Sequence, residues 1–343
     1  MSDRRIEGIE WLRAAMSICV VAWHLAGGGR SLIFSDRFVE HSFTLSDLVN
    51  FHILLLAVPT FVLISNYLLA RCNPDAATAL HRVRRVGLLL LFWPFMMMLF
   101  RGGWDGFVAD VPSTVNDALV YILSAGDTVY YFFVSLLITN GLTILSNRLS
   151  LSINVALFAA SVVGVGVVPF VSIAYDWPML SAFWSPINFI PYSFAAIVVW
   201  RFVGKDSPPI RAVNAAAVLV FIGCVSAALE WRFYANAVFF PGQYFNFPAY
   251  TRPSIILFSV AIFVAALRVR RRVPRVVGAM AKYSLALYCL HMFLVTPMRA
   301  LLQRSVGGLP ELGEAWLLIG LTVVSSYLAA KALSRVLNER LLF

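Results

Sequence analysis

Ala14-Ala15-Met16-Ser17-Ile18-Cys19-Val20-Val21-Ala22-Trp23 is a largely apolar run closed by Arg13 on one side and His24 on the other, with Glu10-Trp11-Leu12 just before it. A water-facing helix would break such a run with charge on every turn. This one does not, so it reads as the interior of a membrane span, where ionisable groups are costly and mark function by default. The spacing adds geometry. Eleven helical steps of about 100° come to about 1100°, some 20° past three full turns, so Arg13 and His24 share one face. The rise between them is about 16 Å. A snorkelling arginine and a core histidine bonded to a neighbouring helix form the plainer alternative.

Working outward, the chain of 343 residues is 60% hydrophobic and only 13% charged. Soluble domains run at about 45–50% apolar and 25% charged. The long apolar runs predict an all-α fold, a polytopic transmembrane helical bundle of about ten spans. They are placed at roughly 9–27, 50–70, 84–101, 128–146, 152–173, 185–202, 210–229, 251–268, 278–300 and 314–334 at about 20 residues each. A closed β-barrel would show alternating segments of about ten residues instead. With the N-terminus in the cytoplasm, most of the 27 Lys and Arg fall at cytoplasmic ends, so both termini are expected there. Residues 1–343 are expected to form a single membrane domain with no appended soluble domain. Arg4-Arg5 before an apolar core resembles a signal peptide, but no small-residue cleavage site follows Trp23-His24. The net charge of +10 arises from topology and is no nucleic-acid signal. Cys19, Cys72, Cys224 and Cys289 form no close pair, so neither a disulfide nor a metal site is expected.

Two outer loops, 28–49 and 102–127, carry Asp36, Glu40, Asp105, Asp110, Asp117 and Asp127. A third, 230–250, is rich in aromatic rings, among them Trp231, Phe239, Phe240, Tyr244 and Tyr250. Such rings usually form the interfacial belt; the functional alternative is a platform for sugar rings or a lipid carrier. On the cytoplasmic side, Arg82-Val83-Arg84-Arg85 opens the third span. Guanidinium pairs bidentately with phosphate oxygens, so Arg82 and Arg85 suit a polyphosphate ligand, against ordinary positive-inside charge as the alternative. His291 lies 13 residues into the ninth span, about 20 Å deep, with Ser284 and Tyr288 on its face. Ser65 and Asn66 sit in apolar surroundings in the second span and read as helix–helix glue. No carboxylate–histidine pair lies near Ser65 to activate it as a nucleophile.

Together these residues describe a chemistry. A buried neutral imidazole at His24 can deprotonate an acceptor alcohol, or take an acyl group itself. Arg13 can bind an anionic donor, oriented by Glu10 one turn earlier. The rival readings are a secondary transporter using intramembrane Arg and His, and a non-enzymatic binder of a lipid or glycan carrier. A transporter would more often show paired Gly- or Pro-broken spans in two halves.

Four segments then fall into one pattern. Glu10-Trp11-Leu12-Arg13…His24 resembles the opening motif of the acyltransferase family 3 membrane proteins, with Glu for the commoner Asp. Val58-Pro59-Thr60-Phe61…Ser65-Asn66 is similar to that family's proline–phenylalanine–serine–glycine segment, with Asn66 in place of glycine. Arg82…Arg85 matches its paired arginines before a span ending in proline, here Pro94. Tyr283-Ser284…Tyr288-Cys289-Leu290-His291 resembles its late serine–tyrosine–histidine motif. The resemblance implies an O-acyltransferase moving an acyl group, usually acetyl from cytoplasmic acetyl-CoA, to a hydroxyl of a saccharide or lipid-linked glycan on the far side of the membrane. It implies polysaccharide modification at a bacterial inner membrane. His24, Arg13 and Glu10 would be catalytic, Arg82, Arg85 and Arg13 would bind the donor, and Ser65, Tyr288 and His291 are further candidates. Acyl-CoA, the glycan acceptor and membrane lipids are the expected partners, with no metal and no nucleic acid.

Overall fold

The computed structural model describes residues 6–25, 45–109, 111–204, 208–234, 248–305 and 311–336. Among them every regular element is helical. The α-helices are α1 Glu7–Leu25, α2 Leu45–His52, α3 Ala57–Cys72, α4 Ala76–Ala109, α5 Val115–Leu123, α6 Tyr131–Ser146 and α7 Leu151–Ala174. They continue as α8 Pro178–Ser181, α9 Ile190–Phe202, α10 Pro209–Tyr234, α11 Pro253–Ala266, α12 Arg275–Lys282, α13 Ser284–Ser305 and α14 Glu311–Leu333. Asp36 and Glu40 of the first outer loop, Asp110, and Phe239, Phe240, Tyr244, Phe245 and Phe247 of the aromatic loop lie outside the described residues.

Among the described residues seven helical stretches are long and apolar enough to cross a membrane: Asp47–Cys72, Ala76–Ala109, Leu151–Ala174, Pro178–Phe202, Pro209–Phe233, Ser284–Ser305 and Gly313–Leu333. The predicted spans at 128–146 and 251–268 fall on the shorter apolar helices α6 and α11. The predicted span at 9–27 falls on α1, which carries Glu7, Glu10, Arg13 and His24 within its 19 residues.

Two predicted spans are each more than one helix. The second bends after α2 through a 3₁₀ turn, Leu54–Leu56, before α3 begins. Pro59, the third residue of α3, has no N–H to continue a helix from the preceding turn. The ninth is divided at Tyr283, which separates the amphipathic α12 from α13. His291 therefore lies seven residues into its own helix, about 10 Å along it, rather than about 20 Å from a start near residue 278. In α4 the helix breaks at Gly103, whose backbone has φ 63° and ψ −159°.

The chain forms two compact units. The first comprises Met1–Val58 and Ala266–Phe343, and the second Pro59–Ala265. In the first, α1 is the central helix and packs on α12, α13, α14 and the 3₁₀ turn. Val21, Ala22 and Leu25 bury their side chains against Leu54, Leu302, Leu318 and Ile319. The foot of α1 approaches closely as well. A Cβ on Gly8 would stand 1.6 Å from the carbonyl oxygen of Ala266, so only glycine allows the contact.

In the second unit α6 packs on α4 and α9, and α9 on α7. The C-terminal ends of three helices are tied together by polar side chains. Asn147 Nδ2 donates to Ala70 O at 3.4 Å and to Asn73 Oδ1 at 3.1 Å. Arg201 donates to Leu149 O at 2.5 Å and to Asn147 O. These bonds reach backbone carbonyls at and just beyond the helix ends. By contrast α7 and α10 leave most of their apolar surface uncovered, only 17% and 11% of their spans being buried against 78% for Asp47–Cys72. A helix apolar on all sides yet uncovered by protein is matched by lipid.

Gly8→Ala is expected to destabilise the first unit, because its new methyl group would meet backbone rather than a movable side chain. Overpacking of this kind costs about 1–3 kcal/mol. Thermal unfolding of the protein in detergent should show a clearly lowered midpoint for Gly8→Ala, and none for Gly141→Ala, where the added Cβ meets nothing within 4 Å.

Candidate active site

Arg13 and His24 both find their partners on α13. Arg13 Nε donates to Ser284 Oγ at 3.1 Å. His291 Nε2 lies 3.1 Å from His24 Nδ1, the two rings being 4.8 Å apart and tilted by 48°. Both contacts run in the same order along the chain, so α1 and α13 are parallel. Eleven residues of α1, about 16 Å, face seven of α13, about 10 Å. The difference of about 6 Å is within the reach of an arginine side chain. Two separate sequence motifs, the Arg…His pair and the late Ser…His segment, thus form one paired seam.

The backbone around the seam helps to orient it. Ser17 Oγ donates to Arg13 O at 2.8 Å. His24 Nδ1 is 2.9 Å from Val20 O. His291 Nδ1 is 2.7 Å from Tyr288 O and 3.3 Å from Leu287 O, and the residue is fully buried. The Tyr288 ring centroid lies 6.0 Å from that of His291. His24 is only half-buried. Glu10, also half-buried, faces α12, its Oε2 3.8 Å from where a Cβ on Gly278 would sit.

The hydrogen positions follow from these acceptors. Carbonyl oxygens only accept, so His291 carries its hydrogen on Nδ1 and, when neutral, a lone pair on Nε2. That lone pair and Val20 O both face His24 Nδ1. The hydrogen of a neutral His24 is therefore held on Nδ1, and its Nε2 has the free lone pair. An imidazole fixed in this tautomer is equipped to act as a base or a nucleophile through Nε2.

Arg82 and Ser65, separate candidates in the sequence, meet in the second unit. Arg82 Nη2 donates to Ser65 O at 3.0 Å and to Ser65 Oγ. Ser65 is thus an acceptor for a guanidinium, a positioning contact rather than an activated nucleophile. Arg85 lies one turn on from Arg82, on the same face of α4 and half-buried. Asp75 caps the start of this helix, accepting from Thr78 N at 2.8 Å. The arginines therefore ride on the first turns of α4, not on a loop.

Some buried polar groups were not among the sequence candidates. Glu230 and Arg252 form a buried ion pair, with Arg252 Nε 2.9 Å from Glu230 Oε2 and exposures of 0% and 5%. Ser254 supports it, donating its N–H to Glu230 Oε1 at 2.7 Å and its hydroxyl to Oε2 at 2.5 Å. The pair joins the end of α10 to the residues entering α11. Its sequence signal was a lone acid and a lone base bracketing the aromatic segment. Asp47, Asn50 and His52 on the short α2 are also buried; the loop assigned to 28–49 hid the first of them. Among the described residues no three His, Cys, Asp or Glu are arranged to hold a metal ion.

The helical fold, the long apolar helices and the buried Arg–His seam define a class, integral membrane proteins with a pair of facing imidazoles inside a helix bundle. Residues 6–331 match the family model of the acyltransferase domain, which is nearly the whole chain. The chain belongs to this family, acyltransferase family 3, and is a membrane acyltransferase. No curated protein and no solved structure matches the chain.

Removing one partner of the buried ion pair should be severe, since it strands an uncompensated charge at a typical cost of about 3–5 kcal/mol. Glu230→Ala is expected to lower the unfolding midpoint strongly. The double change Glu230→Leu with Arg252→Met should recover most of it. An unfolding series over the three proteins checks both outcomes.

Proposed function

We propose that the protein transfers an acetyl group from acetyl-CoA to a hydroxyl of a saccharide or lipid-linked glycan, with His24 as the group that handles the reacting atoms. The observation that carries this reading is the hydrogen bond between His24 Nδ1 and His291 Nε2 at 3.1 Å, which leaves His24 Nε2 with the lone pair. As a base, Nε2 takes the alcohol proton while the hydroxyl oxygen attacks the thioester carbonyl. The C–S bond breaks, and the leaving thiolate recovers that proton from Nε2. As an acyl carrier, Nε2 attacks the carbonyl itself and the C–S bond breaks to release the thiolate; the alcohol then attacks the acyl-imidazolium, the N–acyl bond breaks to restore the neutral imidazole, and the alcohol proton passes to the thiolate. In either course the imidazolium or acyl-imidazole keeps its Nδ1–H on His291, whose lone pair stabilises the added charge.

Arg13 is assigned to the donor's anionic groups. Its Nε is held by Ser284, which orients the planar fork, and lysine could not reproduce that geometry. Arg82 and Arg85 are assigned to the CoA phosphates; Ser65 holds Arg82 in place for this. The expected setting is a ten-span arrangement with both termini cytoplasmic, in a bacterial inner membrane. Donor phosphates would then be taken from the inner side and the acceptor from the outer side. Membership of an acyltransferase family counts against the transporter reading.

Purified protein incubated with acetyl-CoA and a glycan acceptor should release free CoA thiol and yield an acceptor heavier by one acetyl group. His24→Ala should lower this turnover by about 10²–10⁴-fold, the usual range for loss of a general base, while the protein still inserts and unfolds normally. A variant retaining more than about a tenth of the wild-type rate would remove His24 from the reaction.

A further inference from the structure

One end of the first unit is crowded with cations. Arg270, Arg271 and Arg272 follow one another in the segment leading into α12, and Arg275 opens that helix after Pro274. All four are exposed. Lys331 in the last turn of α14 and Arg335 just beyond it are exposed as well. The two groups share an end because α14 runs antiparallel to α13. Leu302, late in α13, is buried with Leu318 and Ile319, early in α14. At the start of α13 the Tyr283 ring instead meets that of Tyr327 at 5.5 Å, one turn before Lys331. The foot of α1 lies at this end too, since a Cβ on Gly8 would stand 3.3 Å from Val269 Cβ.

The charge at this end is poorly balanced. Among its described residues the acids are Glu7 and Glu10, both half-buried on α1, against the six exposed cations. Clustered like charges repel, so the face gains by meeting an anionic partner. Two further observations select that partner. Ser284–Ser305 and Gly313–Leu333 are both long and apolar enough to cross a membrane. The cations lie just before the first stretch and at the close of the second, the level of the phospholipid headgroups. Valines are interleaved with them, Val276 being 71% exposed and Val336 83%. A soluble polyanion gives such side chains no cover, whereas the boundary between headgroups and acyl chains accepts both kinds.

We propose that this face docks on phospholipid of net negative charge, the guanidiniums taking headgroup phosphates and the valines entering the acyl boundary. Guanidinium meets phosphate oxygens in two parallel bonds. A zwitterionic headgroup offers the same phosphate with its own cation beside it, so the face distinguishes the two by charge. The docked lipid also braces the reactive seam, because α12 packs on α1 and leads directly into α13, which holds Arg13 through Ser284.

The test uses the full-length protein in nanodiscs of phosphatidylcholine alone or mixed with phosphatidylglycerol. Wild type is compared with the combined changes Arg270→Gln, Arg271→Gln, Arg272→Gln and Arg275→Gln, and with the matching set of Arg→Lys changes. Mass spectrometry of lipid retained on extraction reads the preference, and thermal unfolding reads the bracing. Wild type should retain phosphatidylglycerol about fivefold over phosphatidylcholine, the gain from about one cation at an anionic surface. It should also unfold at a higher temperature in the mixed bilayer, and added salt should erode both effects. The glutamine variant should fall to near parity and lose most of the temperature rise, while the lysine variant keeps most of both. Free coenzyme A should leave the lipid preference unchanged; displacement of phosphatidylglycerol would assign the face to a soluble phosphate and overturn the proposal. A glutamine variant with the wild-type preference would limit these arginines to topology and overturn it as well. Should that variant not fold, a wild-type preference that is absent or indifferent to salt overturns it equally.

Discussion

Arginine and histidine on a helix packed within an apolar bundle must be satisfied by neighbouring protein, because apolar surroundings offer no hydrogen-bond partner. That requirement organises the first unit. Arg13 and His24 are one face of one helix, so a single partner helix can serve both if it runs parallel and carries acceptors within reach of the two side chains. α13 does so with Ser284 and His291. The break at Tyr283 follows from the same need. It ends the amphipathic α12 and starts α13 with Ser284 within reach of the Arg13 side chain. At the foot of α1, Gly8 lets the helix sit directly on the Ala266 carbonyl.

The second unit meets the same constraint differently. Its ion pair, Glu230 with Arg252, is fully enclosed and supplied with extra bonds from Ser254, the condition under which a buried charge pair is tolerable. Arg201 and Asn147 knit helix ends together through the backbone carbonyls there.

Much of this was legible in the sequence, and the limits have physical reasons. The helical class follows from apolar runs that no soluble domain carries. The shared face of Arg13 and His24 follows from helical periodicity alone. The match of Ser284 to Arg13 and of His291 to His24 could not be read, because periodicity orders residues within a helix and not between helices. The bends before α3 and at Tyr283 were missed since hydropathy sums over a window and is blind to a local break; Pro59 was the available clue to the first. Arg82 and Arg85 were recognisable by charge, but the bond from Arg82 to Ser65 depends on packing. Glu230 and Arg252 passed as ordinary charges at the ends of spans, and only folding encloses them.

The account turns on where the proton of His24 resides. Nitrogen-15 NMR of the histidine-labelled protein in nanodiscs reads this directly, with the His24 signals assigned from a spectrum of the His24→Gln protein. Protonated Nδ1 and unprotonated Nε2 are the predicted state near neutral pH, with a mixture of tautomers appearing when His291 is replaced by Phe. A His24 protonated on Nε2 in the wild-type protein would have no lone pair to offer an alcohol or a thioester, and would contradict the mechanism at its first step.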